Sequence, residues 1–246
     1  MKQQDAGQIN GRKQAIIGQQ QVIIVAGGQG MRMGASMPKQ FLPVVGVPVL
    51  VHTMRRFAEA FPENLSIVLV LPAEQIPYWQ ELCVLHQIDV PMQVVAGGKT
   101  RFESVRNGIA ACMVSGLIGV HDGVRPFVDV EVIRNTYAAA ELTGAAIPVL
   151  PLTDSLRRVE DTGNRIANRA EYRLVQTPQV FQAELLHRAY AQEYNDAFTD
   201  DASVVEAYGH AITLVEGNTE NIKITTPYDL KLAEWLINAE NGATTG

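Results

Sequence analysis

Apolar residues along this chain fall into short unbroken runs separated by amphipathic stretches. Val22-Ile23-Ile24-Val25-Ala26 is the first run. It is β-branched and does not alternate, which predicts a strand buried on both faces. Ile67–Leu71, Met92–Val95, Leu117–His121 and Ala145–Leu150 read as further strands. Between them the period changes to that of a helix. Leu50, Met54, Phe57, Ala58 and Phe61 form one stripe near 48–61, and Phe102, Val105, Ile109 and Met113 form another over Arg101–Ser115. Further helices are expected at 74–86, 130–143, 182–194 and 200–208. Strand–helix alternation predicts right-handed crossovers and an α/β fold, a single Rossmann-like, doubly wound, mainly parallel sheet. Ligands of such sheets lie beyond the carboxyl ends of the strands.

The alternation breaks between 151 and 172. Two extended polar runs flank Asp161-Thr162-Gly163-Asn164, a turn sequence that predicts a β-hairpin arm. The arm is too polar to form a core alone and is expected to project and pack on a second subunit. The last unit is Asn221–Thr225, read as a strand, followed by Thr226-Pro227, a cap with proline at the first helical position. Residues 1–20 are polar and Gln-rich and are expected to be a disordered extension, leaving one domain over 21–240 that includes the arm.

Composition narrows the function classes. Apolar residues make up 47% and charged residues 19%, which excludes a disordered chain. The net charge is −6 and no Lys/Arg block stands out, so nucleic acid is not the expected partner. No run approaches the ~20 apolar residues of a membrane span or forms a signal peptide. Cys83 and Cys112 match no zinc or disulfide spacing. The expected setting is a reducing cytoplasm.

Candidate chemistry clusters after the strands. Ala26-Gly27-Gly28-Gln29-Gly30-Met31-Arg32-Met33-Gly34, then Pro38-Lys39-Gln40, offers backbone amides to a close ligand, and Arg32 and Lys39 could charge the same group. The alternative is a plain turn with two solvated cations. Met33 stands where a dinucleotide fingerprint needs its third glycine, and Gln93 where a Walker motif needs its first, so both readings are weak. Gly97-Gly98-Lys99-Thr100-Arg101-Phe102-Glu103-Ser104 opens a helix and could read a base edge or a phosphate, or be an ordinary turn. Asp122, at the end of a central strand, suits Mg²⁺ or a substrate hydroxyl. His121 beside it reads as a packed strand residue rather than a base. Asp200 and Asp201 read equally as first-turn caps. Lys223, between Ile222 and Ile224, is either functional or a snorkelling edge lysine.

Taken in order, AGG-x-G-x-R-M-G…P-K-Q, GG-x-x-R…S-V, VHD-x-x-RP, TDS, R…QTPQ-x-F, TDDAS and NIKIT-x-P-x-DL resemble the 2-C-methyl-D-erythritol 4-phosphate cytidylyltransferase family over roughly residues 21–237. The resemblance implies a nucleotidyltransferase-type fold with a protruding β-arm. It implies transfer of CMP from CTP to methylerythritol 4-phosphate, with Mg²⁺ or another divalent cation, release of pyrophosphate, and a homodimer formed through the arm. Residue by residue it implies Arg32, Lys39 and Lys223 as the catalytic cations. Ala26, Gly27, Gly28, Gly30, Gly98, Ser104 and Gly123 would contact CTP. Asp122, Arg125, Thr177 and Thr199 would line the acceptor side, and Ser155 and Arg169 would reach a neighbouring subunit's site. Gly123-Val124 replaces the family's frequent alanine pair, position 99 is Lys where some members have an acid, and Ser155 stands where Thr is common.

This chemistry needs no nucleophilic side chain, because a phosphate is already ionised at neutral pH. The obstacle is repulsion between a dianion and a tetra-anion, about 1 kcal/mol per unit-charge pair at ~4 Å in water and more at lower dielectric. Neutralisation and alignment would supply the catalysis. Two other readings compete: the same transfer to ribitol 5-phosphate, and a nucleotide-binding module without catalysis.

Overall fold

The computed structural model describes residues 20–27 and 37–243. In chain order the elements are β1 (Gln20–Val25), β2 (Pro43–Val44), β3 (Val47–Pro48), α1 (Val49–Ala60), β4 (Leu65–Leu71), α2 (Ile76–Leu85), β5 (Gln93–Ala96), α3 (Arg101–Ala110), β6 (Leu117–Asp122), α4 (Val130–Thr143) and β7 (Ala145–Pro151). They continue with β8 (Leu156–Glu160), β9 (Gly163–Ala167), β10 (Arg173–Val175), β11 (Gln179–Gln182), α5 (Ala183–Ala189), α6 (Asp201–Ala207), β12 (Thr213–Glu216) and α7 (Pro227–Ala243). The expected extension at 1–20 lies outside the described residues except for Gln20, which opens β1.

β1 lies inside the main sheet and pairs in parallel with β4 on one side and β6 on the other. β5 extends the β4 side. The order therefore reverses direction between β1 and β6, which opens a crevice at their carboxyl ends. Strand side chains alternate between faces. Val22 and Ile24 of β1 pack toward α1, α2 and α4, against Leu50, Met54, Phe57, Trp79 and Ile133. Ile23 packs toward the opposite layer, against Val70, Phe102, Val105 and Leu186. Burial on both sides is why the run is continuously apolar.

The far side of the sheet departs from the sequence reading. β11 lies antiparallel between β6 and β7, and β10 continues along β7. Val175 faces Val149 and Val180 faces Ala146, so two residues more are spent on this ribbon than on β7. The surplus bulges at Gln176, Thr177 and Pro178, where the Thr177–Pro178 bond is cis. Bulges of this kind re-aim side chains toward sites.

Three sequence expectations shift, the first being the 182–194 helix, which ends at Ala189 as α5. The helix from Arg101 stops at Ala110 instead of Ser115, because Gln21 captures the chain beyond it. The buried Gln21 side chain accepts from the Met113 amide at 2.6 Å and donates to the Met113 and Ser115 carbonyls at 3.1 Å. Asn221–Thr225 joins no sheet. It is held by side chains and by the Ile224 amide, which donates to the Val124 carbonyl at 2.9 Å. β8 and β9 form the hairpin arm, antiparallel from Leu156–Ala167 to Glu160–Gly163 and separate from the main sheet.

Candidate active site

A cavity of about 300 Å³ opens where β1 and β6 end. Ala26 and Gly27 follow β1 into its wall, and Lys39 and Gln40 enter from a 3-10 turn over Lys39–Phe41. Gln40 is buried, and its amide nitrogen donates to the Ala26 carbonyl at 2.8 Å and to Gln75 Oε1 at 2.7 Å. One side chain thus ties the 3-10 turn to the end of β1 and to Gln75.

The loop before α3 forms the opposite wall. Thr100 and Glu103 make a reciprocal capping box. The Glu103 carboxylate also accepts from the Lys99 amide at 2.6 Å. The buried Ser104 hydroxyl donates to the Thr100 carbonyl at 2.8 Å and accepts from the Gly98 amide at 3.1 Å. A Cβ on Gly98 would sit 2.3 Å from Glu103 Cβ, so the cap admits only glycine there. The helix terminus and loop amides are presented as a fixed surface.

Asp122 closes the floor. Its Oδ2 accepts from Lys223 Nζ at 2.9 Å and from Arg125 Nε at 3.3 Å. Burial alone would raise its pKa, but Lys223, Arg101 and Arg125 outweigh that and hold it below the ordinary carboxylate range. His121 is fully buried beside it, and burial lowers its pKa to about 4. Both ring nitrogens are engaged, Nδ1 with Thr177 Oγ1 and Nε2 with the Arg125 carbonyl, each at 3.0 Å. That arrangement supports the reading of His121 as a packed residue and not a base. At Gly123, which follows Asp122, a Cβ would lie 2.9 Å from Ala26 Cβ and 3.1 Å from Leu50 Cδ1.

The structure brings Ala26, Gly27, Lys39, Gly98, Ser104, Asp122 and Lys223 to one cavity. Gly123, Arg125 and Thr177 adjoin it through Asp122: Gly123 follows it, Arg125 bonds its carboxylate, and Thr177 Oγ1 accepts from its amide at 3.2 Å. Gly28, Gly30 and Arg32 lie outside the described residues. Thr199 is exposed next to the N-cap of α6. Ser155 and Arg169 sit on the arm's base, exposed and away from the lining, with the Arg169 guanidinium donating to the Thr153 carbonyl.

Sequence reasoning missed Arg101 and Asp201 as a pair. Arg101 lines the cavity and donates to both carboxylate oxygens of Asp201, at 2.8 and 2.6 Å. Burial would lower the Arg101 pKa, but Asp201 outweighs it and raises it above the ordinary value. Tyr190 donates a further bond to Asp201 at 2.5 Å. The two adjacent aspartates thus divide roles. Asp200 is the helix cap, bonded to the Ser203 amide at 2.9 Å, while Asp201 is a fully buried partner for a cavity cation. An arginine in the first turn after a Gly-Gly loop was the available signal.

No three His, Cys, Asp or Glu side chains converge as metal ligands among the described residues. Asp122 spends one oxygen on two cations, so the described donor set does not form a protein-held metal cage. No helix among them is long and apolar enough to cross a membrane.

The family model of IspD, 2-C-methyl-D-erythritol 4-phosphate cytidylyltransferase, matches residues 20–239. A protein of that name from Bacteroides thetaiotaomicron is 56% identical over 218 residues, covering 89% of this chain and 99% of its own length. Another from Bacillus cereus is 40% identical, covering 89% of this chain and 98% of its own. The crystal structure of the Thermus thermophilus protein of the same name superimposes with a TM-score of 0.72 at 35% identity, over 89% of this chain and 98% of that one. With the crevice, the capped loop and the converging lysines already placed, these matches fix the assignment: the chain belongs to the 2-C-methyl-D-erythritol 4-phosphate cytidylyltransferase family.

Proposed function

We propose that this chain transfers CMP from CTP to 2-C-methyl-D-erythritol 4-phosphate, giving 4-diphosphocytidyl-2-C-methyl-D-erythritol and pyrophosphate in isoprenoid precursor synthesis. The observation that carries the reading is the meeting of Lys39 and Lys223, far apart in sequence, on one cavity at the β1/β6 crevice. An oxygen of the acceptor phosphate attacks the α-phosphorus of CTP, and the bond from that phosphorus to the bridging oxygen breaks. The electron pair leaves with pyrophosphate, and no proton must move. Lys39 and Lys223 offset the charge gathering on the α-phosphate and bridging oxygens. The capped loop at Gly98 and Ser104 receives the cytidine, and Arg32 completes the cation set. Asp122, kept ionised, accepts from an acceptor hydroxyl while it orients Lys223.

Mg²⁺ belongs to this reading as the counter-ion of the triphosphate, held chiefly by nucleotide oxygens. The arm belongs to it as the contact with a second copy, carrying Ser155 and Arg169 to that copy's acceptor side. Support for the second copy is the apolar surface the arm leaves uncovered: Val159 is 81% and Ile166 77% exposed. The setting is the cytoplasm, where Cys83 and Cys112, both free thiols, would stay reduced.

The test is a panel of CTP, UTP and ATP against methylerythritol phosphate and ribitol 5-phosphate, reading pyrophosphate. Release confined to CTP with methylerythritol phosphate is expected. Release with ribitol phosphate at an equal or higher kcat/KM, or none with any acceptor, would overturn the assignment.

A further inference from the structure

The segment that carries Lys223 has no ladder to hold it, yet a charge-stabilising amine must be placed to within a fraction of an ångström. Four residues around it bond in a closed circuit. His121 Nδ1 meets Thr177 Oγ1 at 3.0 Å, and the Thr177 carbonyl accepts from Asn221 Nδ2 at 3.0 Å. The Asn221 carbonyl accepts from Arg125 Nη1 at 2.7 Å, and the Arg125 carbonyl meets His121 Nε2 at 3.0 Å. The circuit joins the end of β6, the turn after it, the bulge between β10 and β11, and the segment two residues before Lys223.

Proton positions follow from which atoms can only accept. A carbonyl has no proton to give, so Nε2 of His121 carries the hydrogen toward Arg125. Nδ1 of the neutral ring is then bare and accepts from the Thr177 hydroxyl. That hydroxyl oxygen in turn accepts from the Asp122 amide at 3.2 Å. Every bond around the circuit has one direction, and the histidine is the element that sets it. A phenyl ring would fill the same space, edge-on to Phe57 at 4.9 Å as the imidazole is, and break the circuit at two joints.

We propose that His121 is a positioning residue, which closes a one-way ring of hydrogen bonds through Thr177, Asn221 and Arg125 that sets Lys223 against Asp122 for the transfer. The inference rests on the cytidylyl-transfer reading above.

The experiment compares His121→Phe, Lys223→Ala and the double variant for kcat and KM of CTP. His121→Phe should lower kcat about 10- to 100-fold, with the KM of CTP within about threefold. In the Lys223→Ala background the same change should cost less than about threefold more, because the group it positions is gone. Independent, multiplying losses would overturn the proposal. Asn221→Leu opens the ring at another joint and should show the same kcat loss and the same non-additivity, which keeps the test open if His121→Phe does not fold. A second measurement does not depend on catalysis. ¹⁵N NMR of the histidines at neutral pH should show His121 with Nε2 protonated and Nδ1 bare. A protonated Nδ1 overturns the ring even if transfer proceeds, whereas failure of the wild-type chain to transfer CMP sinks the functional reading and leaves this result standing.

Discussion

In the cavity wall Arg101 bonds Asp201 at 2.6 Å, and on the arm Arg165 bonds Glu160 at the same 2.6 Å. The distances match, yet the surroundings do not. Asp201 is fully buried, also bonded by Tyr190, and fixed in the first turn of α6. Arg165 and Glu160 are 60% and 47% exposed on a two-stranded ribbon. Water can replace either partner on the arm at little cost, whereas nothing replaces Asp201. Geometry alone therefore says little about what an ion pair contributes, and burial with further hydrogen bonds decides it. The cavity is held by its own chain. The arm leaves Val159 and Ile166 in solvent.

The sharpest way to break this contrast is Asp201→Ala. It strands the Arg101 charge and the Tyr190 hydroxyl and should cost about 3 kcal/mol or more in denaturant unfolding. A loss under about 1 kcal/mol would erase the distinction between cavity and arm. Next is Lys39→Ala, expected to lower turnover about 10²- to 10³-fold, the range for losing one preorganised charge-stabilising group. Near wild-type turnover would remove Lys39 from the mechanism.

Acid should also separate the regions. Burial lowers His121 to about 4 from an ordinary 6.5, so the folded state resists a proton that the unfolded state accepts. Stability is complete above the ordinary value and is lost as pH falls through the lowered one, on the order of 3 kcal/mol in all. Asp122, held low by Lys223, Arg101 and Arg125, works in the same direction further down. Unfolding midpoints between pH 7 and 4 would show it, and a His121→Phe variant should give a shallower slope. The arm strands contain no histidine.

A mixing experiment sharpens the arm's side of the comparison. Arg169→Ala and Lys39→Ala subunits, each inactive, should recover about a quarter of wild-type activity on exchange, because half the dimers would hold one intact composite site. No recovery after proven exchange would confine each site to one chain. The smallest effect is Glu160→Ala, which should shift stability by less than about 1 kcal/mol.

How much was legible follows the same division. Continuous apolar runs announced β1, β4 and β6, because burial on two faces leaves no polar positions. The helix stripes of α1 and α3 were legible by their period, because each helix buries one face, although Met113 lies beyond the end of α3 and is exposed. The ribbon over 173–182 was not. It is short, polar at Gln176, Thr177 and Gln179, and interrupted by Pro178, and those polar groups are satisfied only by partners distant in sequence. Asn221–Thr225 looked like a strand by its isoleucines, which in fact pack toward α7 and Val124. Asp122 and Lys223 were legible as candidates because each ends or interrupts an apolar run, and Lys39 because it follows the glycine-rich segment. Arg101 and Asp201 were hidden because charged residues in first helical turns ordinarily face water, and only the fold shows that these two face each other.

The tight cap around Gly98 reaches beyond this chain's own chemistry. Because Glu103 occupies the space a methyl would need, any variant that adds a side chain at 98 dismantles the helix start. Lys99 is the neighbouring position that lines the cavity while only its main chain serves the cap. Laboratory libraries aimed at this wall of the cavity should vary 99 and leave 98 as glycine.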